Sequence, residues 1–215
     1  MQWNLWPHDP TQHSPESRKG FQESLTNIVN LVIDACENPC KERKEVFPDE
    51  PYPKGFPTNY NCPALMLSLY LQESELHPYV VSSTGAAGIA QFMPDTAIEY
   101  GPMSIMSRKP HKTIWKTKKE RMEGTPEELE KIDDRFVLET AIPASVCLMN
   151  DLMHIYDDHD NRVWYAFNAY SCGQGCVDKY IRKKHGGKKA KLPKETRGHE
   201  KGIRFAYKMI TQYRN

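Results

Sequence analysis

The chain has 215 residues and a formal net charge of +1, long enough for one domain with a sizeable core, or for a domain plus an extension. No segment approaches the ~20 consecutive apolar residues of a membrane-spanning helix. The total charge decides little, but its distribution is uneven. From Lys179 to Arg204 eleven Lys/Arg stand against two Glu, Arg108 to Arg121 is also basic, and acid gathers at Glu123–Asp134 and Asp157–Asp160. A basic tail on a balanced chain suits an anionic polymer, either a nucleic acid or a bacterial wall. A solvated lysine-rich surface is the plainer alternative. The tail lacks the interleaved aromatics of a single-strand platform, so nucleic acid is not the expected partner.

Residues Met1 to Ser14 contain no early basic residue and no apolar run, so no secretory signal is expected there. Ser14-Pro15-Glu16 reads as a helix start, with Ser as cap and Pro at the first helical position. The following run sets Phe21, Leu25, Ile28, Val29 and Val32 on one helical face, and Pro39 is expected to end it. Residues 44–63 carry five prolines (Pro48, Pro51, Pro53, Pro57 and Pro63) and read as an extended connector. The expected division is a helical extension with a Pro-rich linker over 1–55 and a main domain over 56–215. The apolar face of the extension docks on that domain or, alternatively, on a partner protein.

From Ala64 the positions Leu65, Met66, Leu69 and Tyr70 form a helical stripe that runs into Glu73, and Pro78 marks its end. Gly85 and Gly88 bracket a turn, and Ile89–Tyr100 reads as another helix. Residues 101–128, basic and then acidic with no apolar period, read as a surface insertion. A helix follows around Arg135–Tyr156, kinked or broken at Pro143, then one over Val163–Tyr170. A last helix carries Ile203, Phe205, Ala206, Met209 and Ile210. The fold expected is mainly α, with little room for strands.

The six cysteines, Cys36, Cys40, Cys62, Cys147, Cys172 and Cys176, form no CxxC pair. Free core thiols in a reducing compartment are the default expectation. A disulfide or two after release into an oxidising space is the alternative, and zinc is disfavoured because no His-x-x-x-His completes a ligand set. Asp151, His154 and Asp158 share a helical face, which reads as a solvated polar face rather than a metal site.

The chemistry centres on Glu73. Cleaving a glycosidic bond needs an acid to protonate the leaving oxygen while positive charge develops at the sugar carbon. A lone carboxyl can serve at neutral pH if burial favours its protonated form, and Leu69, Leu76 and Met93 are the apolar neighbours expected to supply that burial. By itself, Glu73 could equally close a helix or bind a backbone amide. The surrounding residues argue for the acid: Glu73-Ser74, Ser82-Ser83-Thr84-Gly85-Ala86-Ala87-Gly88, Gln91-Phe92-Met93-Pro94 and Thr96-Ala97 follow one another without a gap. Further on stand Ala169-Tyr170-Ser171-Cys172-Gly173-Gln174-Gly175-Cys176-Val177 and Pro193-Lys194-Glu195-Thr196-Arg197.

These three motifs, in this order, resemble the catalytic core of the soluble lytic transglycosylases, lysozyme-like enzymes that cut peptidoglycan. The resemblance covers roughly residues 60–210. It implies a lysozyme-like catalytic domain and no metal or other cofactor. Glu73 is then the single acid/base. Ser82 holds the sugar's N-acetyl group or the departing oxygen, Gln91 and Met93 line the groove, and Tyr170 bonds near Glu73 and helps set its protonation, with Ser171 beside it. Gln91 offers a donor and an acceptor to amide-bearing sugars. The chain departs from the family pattern at Ser171, where Asn is usual, at Cys172, where Ala is usual, and at Cys147, where a tyrosine is common. An alternative register, with Phe167-Asn168-Ala169 as the Tyr-Asn-Ala, would displace the glycines. The insertion at 101–132 is longer than the family usually carries and suggests a lid or a docking surface.

The resemblance further implies cleavage of the MurNAc–GlcNAc β-1,4 bond with closure of a 1,6-anhydro ring. Ordinary glycosidases need two carboxylates, and the candidates for a second, Glu75, Asp95, Asp133 and Asp134, are unconvincing. A goose-type lysozyme-like hydrolase and a catalytically weak structural virion subunit are the alternatives. The expected partner is the peptidoglycan glycan strand. Virion or secretion-assembly proteins are further candidates, through residues 1–55 or 101–132. The expected setting is synthesis in the cytoplasm without a signal, followed by action at the wall or periplasm after delivery in a bacteriophage virion.

Overall fold

The structure, a computed structural model, describes residues 15–46, 55–100, 129–131 and 133–212. Its central helix, here called α3, spans Cys62–Ser74. Asn61 caps it by accepting the Ala64 N–H at 2.9 Å, and Pro63 occupies the first turn, where a missing N–H costs nothing. Leu65, Met66, Leu69 and Tyr70 are fully buried, each apolar side chain contributing roughly 1.5–3 kcal/mol. The helix ends because Glu75 turns left-handed (φ +54°), its N–H reaching back to the Leu71 carbonyl at 3.3 Å. Glu73 therefore sits on the last turn.

Before α3 come α1 (Pro15–Glu37) and the short α2 (Lys41–Val46). After it come α4 (Pro94–Tyr100), a 3-10 turn at Asp134–Phe136, α5 (Leu138–Ile155), α6 (Arg162–Cys172), α7 (Gln174–His185) and α8 (Lys194–Gln212). Helix α3 packs against α1 and α8, while α5 packs against α1, α4 and α6. Ile28 and Val32 of α1 lie in the same apolar cluster as Leu65 and Leu69, Ile142 and Met149 of α5, and Phe167 of α6. Ile28 and Val32 of the α1 face are thus packed against α3, α5 and α6. Buried Tyr70 bonds Ser145 at 2.6 Å, and Ser145 in turn donates to the Ile142 carbonyl at 2.8 Å. Burial pushes the Tyr70 phenol well above its ordinary value, outweighing the opposing bond from Ser145. Among the described residues no strand forms; two antiparallel bridges join Val81 to Ala87 and Ala87 to Phe92. Among those residues no helix is long and apolar enough to cross a membrane. The mainly α fold is as expected.

Several expectations need correction. The expected free thiols are all paired: Cys36–Cys62, Cys40–Cys147 and Cys172–Cys176, at Cα–Cα separations of 5.9, 4.6 and 5.9 Å. These lie in the range a disulfide spans, and two of them fasten the α1–α2 region to α3 and α5. The helix expected from Ile89 begins only at Pro94, because residues 87–92 are engaged in bridge pairing and Gln91 adopts φ +50°. Helix α2 overlaps only the first residues of the expected connector, and α7 was not anticipated. Helix α5 runs unbroken through Pro143. Phe205, expected on the apolar face of the last helix, is 68% exposed, whereas Ile203 is buried. The expected cap Ser14 and most of the insertion lie outside the described residues. Of the insertion, Leu129 is buried and Glu130 accepts the Tyr79 hydroxyl at 2.7 Å.

Candidate active site

The end of α3 is tied to the turn that follows. The hydroxyl of buried Ser74 lies 3.0 Å from the Tyr70 carbonyl and 2.8 Å from that of Ile89. In the turn, Ser82 organises the backbone. Its N–H reaches the Ala86 carbonyl at 2.8 Å, and its hydroxyl accepts the Ala86 N–H at 2.9 Å and lies 3.0 Å from the Thr84 hydroxyl. Gln91 donates through Nε2 to the carbonyls of Val80 (3.0 Å) and Gly88 (2.8 Å). Its donor group is thus used to hold the turn and cannot also bind a sugar amide. Gly88, at φ +78°, must be glycine, since a Cβ there would meet the Arg135 carbonyl at 1.8 Å.

Arg135 supports the turn from beneath. Fully buried, it pairs bidentately with Asp133 (Nε–Oδ1 2.9 Å, Nη2–Oδ2 2.6 Å) and donates through Nη1 to the carbonyls of Gly85 and Phe92, both at 2.9 Å. A buried ion pair is tolerable when its remaining donors are satisfied, and here they are satisfied by the segment carrying Gln91.

Tyr170, near the end of α6, donates its hydroxyl to the Ala90 carbonyl at 2.6 Å, and its ring lies 6.4 Å from that of Phe92. Burial, then the negative charge of Glu73, then Tyr70 hold its phenol well above the ordinary tyrosine value, so it stays a neutral donor. Its hydrogen bond goes to the backbone beside the site, and the Glu73 charge is near enough to act on it. Met93 (43% exposed) and Ser171 are open to solvent. Next to Ser171, the Cys172–Cys176 disulfide bridges the junction of α6 and α7 across Gly173.

The direct partner of Glu73 is His199 of α8, whose Nε2 lies 2.8 Å from Oε1. Both side chains are largely shielded, with 17% of Glu73 and 12% of His199 exposed. Gly202 of α8 faces Gln72 of α3, whose side-chain amide would have to move aside for a Cβ there. Arg204 stacks 3.6 Å over the Trp164 ring and bonds Glu200 at 2.7 Å, and Asn168 donates to Glu200 at 2.8 Å. These contacts brace α8 on α6. His199 was missed from sequence: it stands 126 residues from Glu73, without a metal-ligand spacing or motif of its own. The one available signal was its place two residues after the Pro-Lys-Glu-Thr-Arg motif.

Of the candidate second acids, Asp133 is bound to Arg135, Glu75 is exposed on the left-handed helix end, and Asp95 is exposed in the first turn of α4. Asp134 opens the 3-10 turn. Cys40, Cys147 and Asp151 lie within metal-binding reach of one another, but the two sulfurs are bonded to each other, which removes the thiolates a metal would need. A separate depression lined by Pro57, Tyr60, Asp158, His159 and Asp160 contains none of these site residues.

The described residues thus form a helical domain with a shielded carboxyl at the end of α3. The sequence profile of the transglycosylase SLT domain matches residues 57–193, well over half of the chain, and the chain belongs to that family. It is similar to the crystal structure of the 70 kDa soluble lytic transglycosylase SLT70 from Escherichia coli, with a TM-score of 0.49 and 23% identity. That match covers 74% of this chain and 22% of the other, so the chain spans about a fifth of that enzyme's length. No curated protein matches the chain.

Proposed function

We propose that the chain cleaves the MurNAc–GlcNAc β-1,4 bond of peptidoglycan and forms a 1,6-anhydro end, with Glu73 as its only acid/base. The observation that carries this reading is the setting of Glu73. It is a shielded carboxyl bonded to an imidazole, whereas Asp133 is committed to Arg135 and Glu75 and Asp95 are exposed. In the first step the Glu73 carboxyl gives its proton to the glycosidic oxygen as the C1–O4 bond breaks. In the second its carboxylate takes the proton of the muramoyl C6 hydroxyl as O6 bonds C1. The proton count closes on one carboxyl and no water is consumed, unlike the two-carboxylate hydrolysis of ordinary glycosidases. Tyr170, kept neutral, fixes the Ala90 carbonyl, and Met93 offers an apolar surface to the sugar rings. Three disulfides favour an oxidising working compartment, in keeping with a wall substrate.

The test is mass analysis of soluble products after wild type and Glu73→Gln are incubated with purified peptidoglycan. Anhydro-muropeptides from the wild type alone are expected. Reducing-end products would replace this reading with a hydrolase, and release by the variant would remove Glu73 from its role.

A further inference from the structure

The structure assigns His199 as the positioning residue of Glu73, an inference that rests on the glycan-cleaving reading above. Its Nε2 holds Oε1 at 2.8 Å, which directs the other carboxyl oxygen, Oε2, to the sugar. His199 Nδ1 is buried and makes no hydrogen bond among the described residues, so the ring's polar contact is the one its Nε2 makes with Glu73.

A donor at Oε1 binds the carboxylate more strongly than the carboxylic acid. When Glu73 passes its proton from Oε2 to the glycosidic oxygen, the charge left behind meets a donor already in place, with no reorganisation. In the return step Oε2 takes the C6 hydroxyl proton and His199 keeps its own throughout. Tyr170 of α6, which feels the Glu73 charge, is kept protonated by burial, as is Tyr70 of α3. Their hydroxyls are engaged with Ala90 and Ser145, so neither competes for Oε1. The position is held by the α8 framework: Thr196 and Ile203, three residues before and four after His199, are buried on the same helical face.

The test compares wild type, His199→Ala and His199→Gln on purified peptidoglycan over a pH series, with thermal melts to establish that each variant folds. A glutamine amide is a neutral N–H donor of similar reach. His199→Ala is expected to lose about 10- to 100-fold in kcat with little change in KM. His199→Gln is expected to restore most of the rate. A folded His199→Ala with wild-type kcat overturns the assignment, as does a folded His199→Gln as impaired as the alanine variant. Glu73→Gln, run alongside, separates the two readings. If it is inactive while His199→Ala is normal, only this inference fails; if it is as active as the wild type, the proposed function fails first.

Discussion

Replacing Asp133 by Asn leaves the volume at the base of the turn unchanged but removes the Asp133 charge that pairs with the buried Arg135 guanidinium. Arg135 is fully buried and Asp133 is 3% exposed, so water cannot reach in to compensate. Removing one member of such a pair costs about 3–5 kcal/mol. In a domain of this size each kcal/mol lowers the melting temperature by about 2–4 °C, so Asp133→Asn should melt roughly 6–20 °C below wild type. The loss should also reach the site, since the same guanidinium holds the carbonyls of Gly85 and Phe92, which flank the residues that bear Gln91 and the Ala90 acceptor of Tyr170. Differential scanning calorimetry and urea titration would measure the first effect, and peptidoglycan release well below the melting point the second. A double variant, Asp133→Leu with Arg135→Met, should recover part of the stability, because no charge is then left buried. A single variant melting within 2 °C of wild type would refute the reasoning, since the pair would then be worth less than about 1 kcal/mol.

The Cys40–Cys147 bond closes a separation of 107 residues. Loop entropy for ~100 residues gives about 4.7 kcal/mol, so replacing both cysteines by serine should lower the urea midpoint by a margin worth roughly 3–5 kcal/mol; a change below 1 kcal/mol would show the bond to be dispensable. His77 is held below the ordinary histidine value first by burial, against opposing contributions from its own backbone and Glu75, and its Nδ1 accepts the Tyr79 N–H at 3.1 Å. The unfolded chain therefore takes up this proton at a higher pH than the folded one. Stability falls as pH drops below about 6.5 and levels off once the folded-state value is passed. In His77→Gln this contribution is absent, and urea midpoints at pH 7.5 and 5 should differ less than in wild type; equal differences would refute the assignment.

The readable part of this molecule was whatever is written locally. The stripe Leu65, Met66, Leu69 and Tyr70 marked α3, and the motifs after Glu73 marked the turn, because helical period and turn residues act over a few positions. What was not readable depends on residues far apart. His199 meets Glu73 because α8 packs against α3, and nothing along the chain shows that Arg135 bonds the carbonyls of Gly85 and Phe92. The cysteines misled for the same reason, as spacing along the chain gives no information about which sulfurs meet. The late start of α4 shows bridge pairing at Ala87 and Phe92 overriding a helical pattern that began at Ile89.

The Cys40–Cys147 bond has a topological consequence. The chain between those residues forms a covalent ring, so one cut anywhere from 41 to 146 opens the ring without separating the pieces. A cut between residues 101 and 128 would leave Glu73 on one fragment and Tyr170 and His199 on the other, still joined through the sulfurs. Such a nicked molecule would run as one species on a non-reducing gel and as two after reduction. Because the tether keeps the halves at high effective concentration, the carboxyl and its imidazole partner would remain available to each other until a reductant arrives.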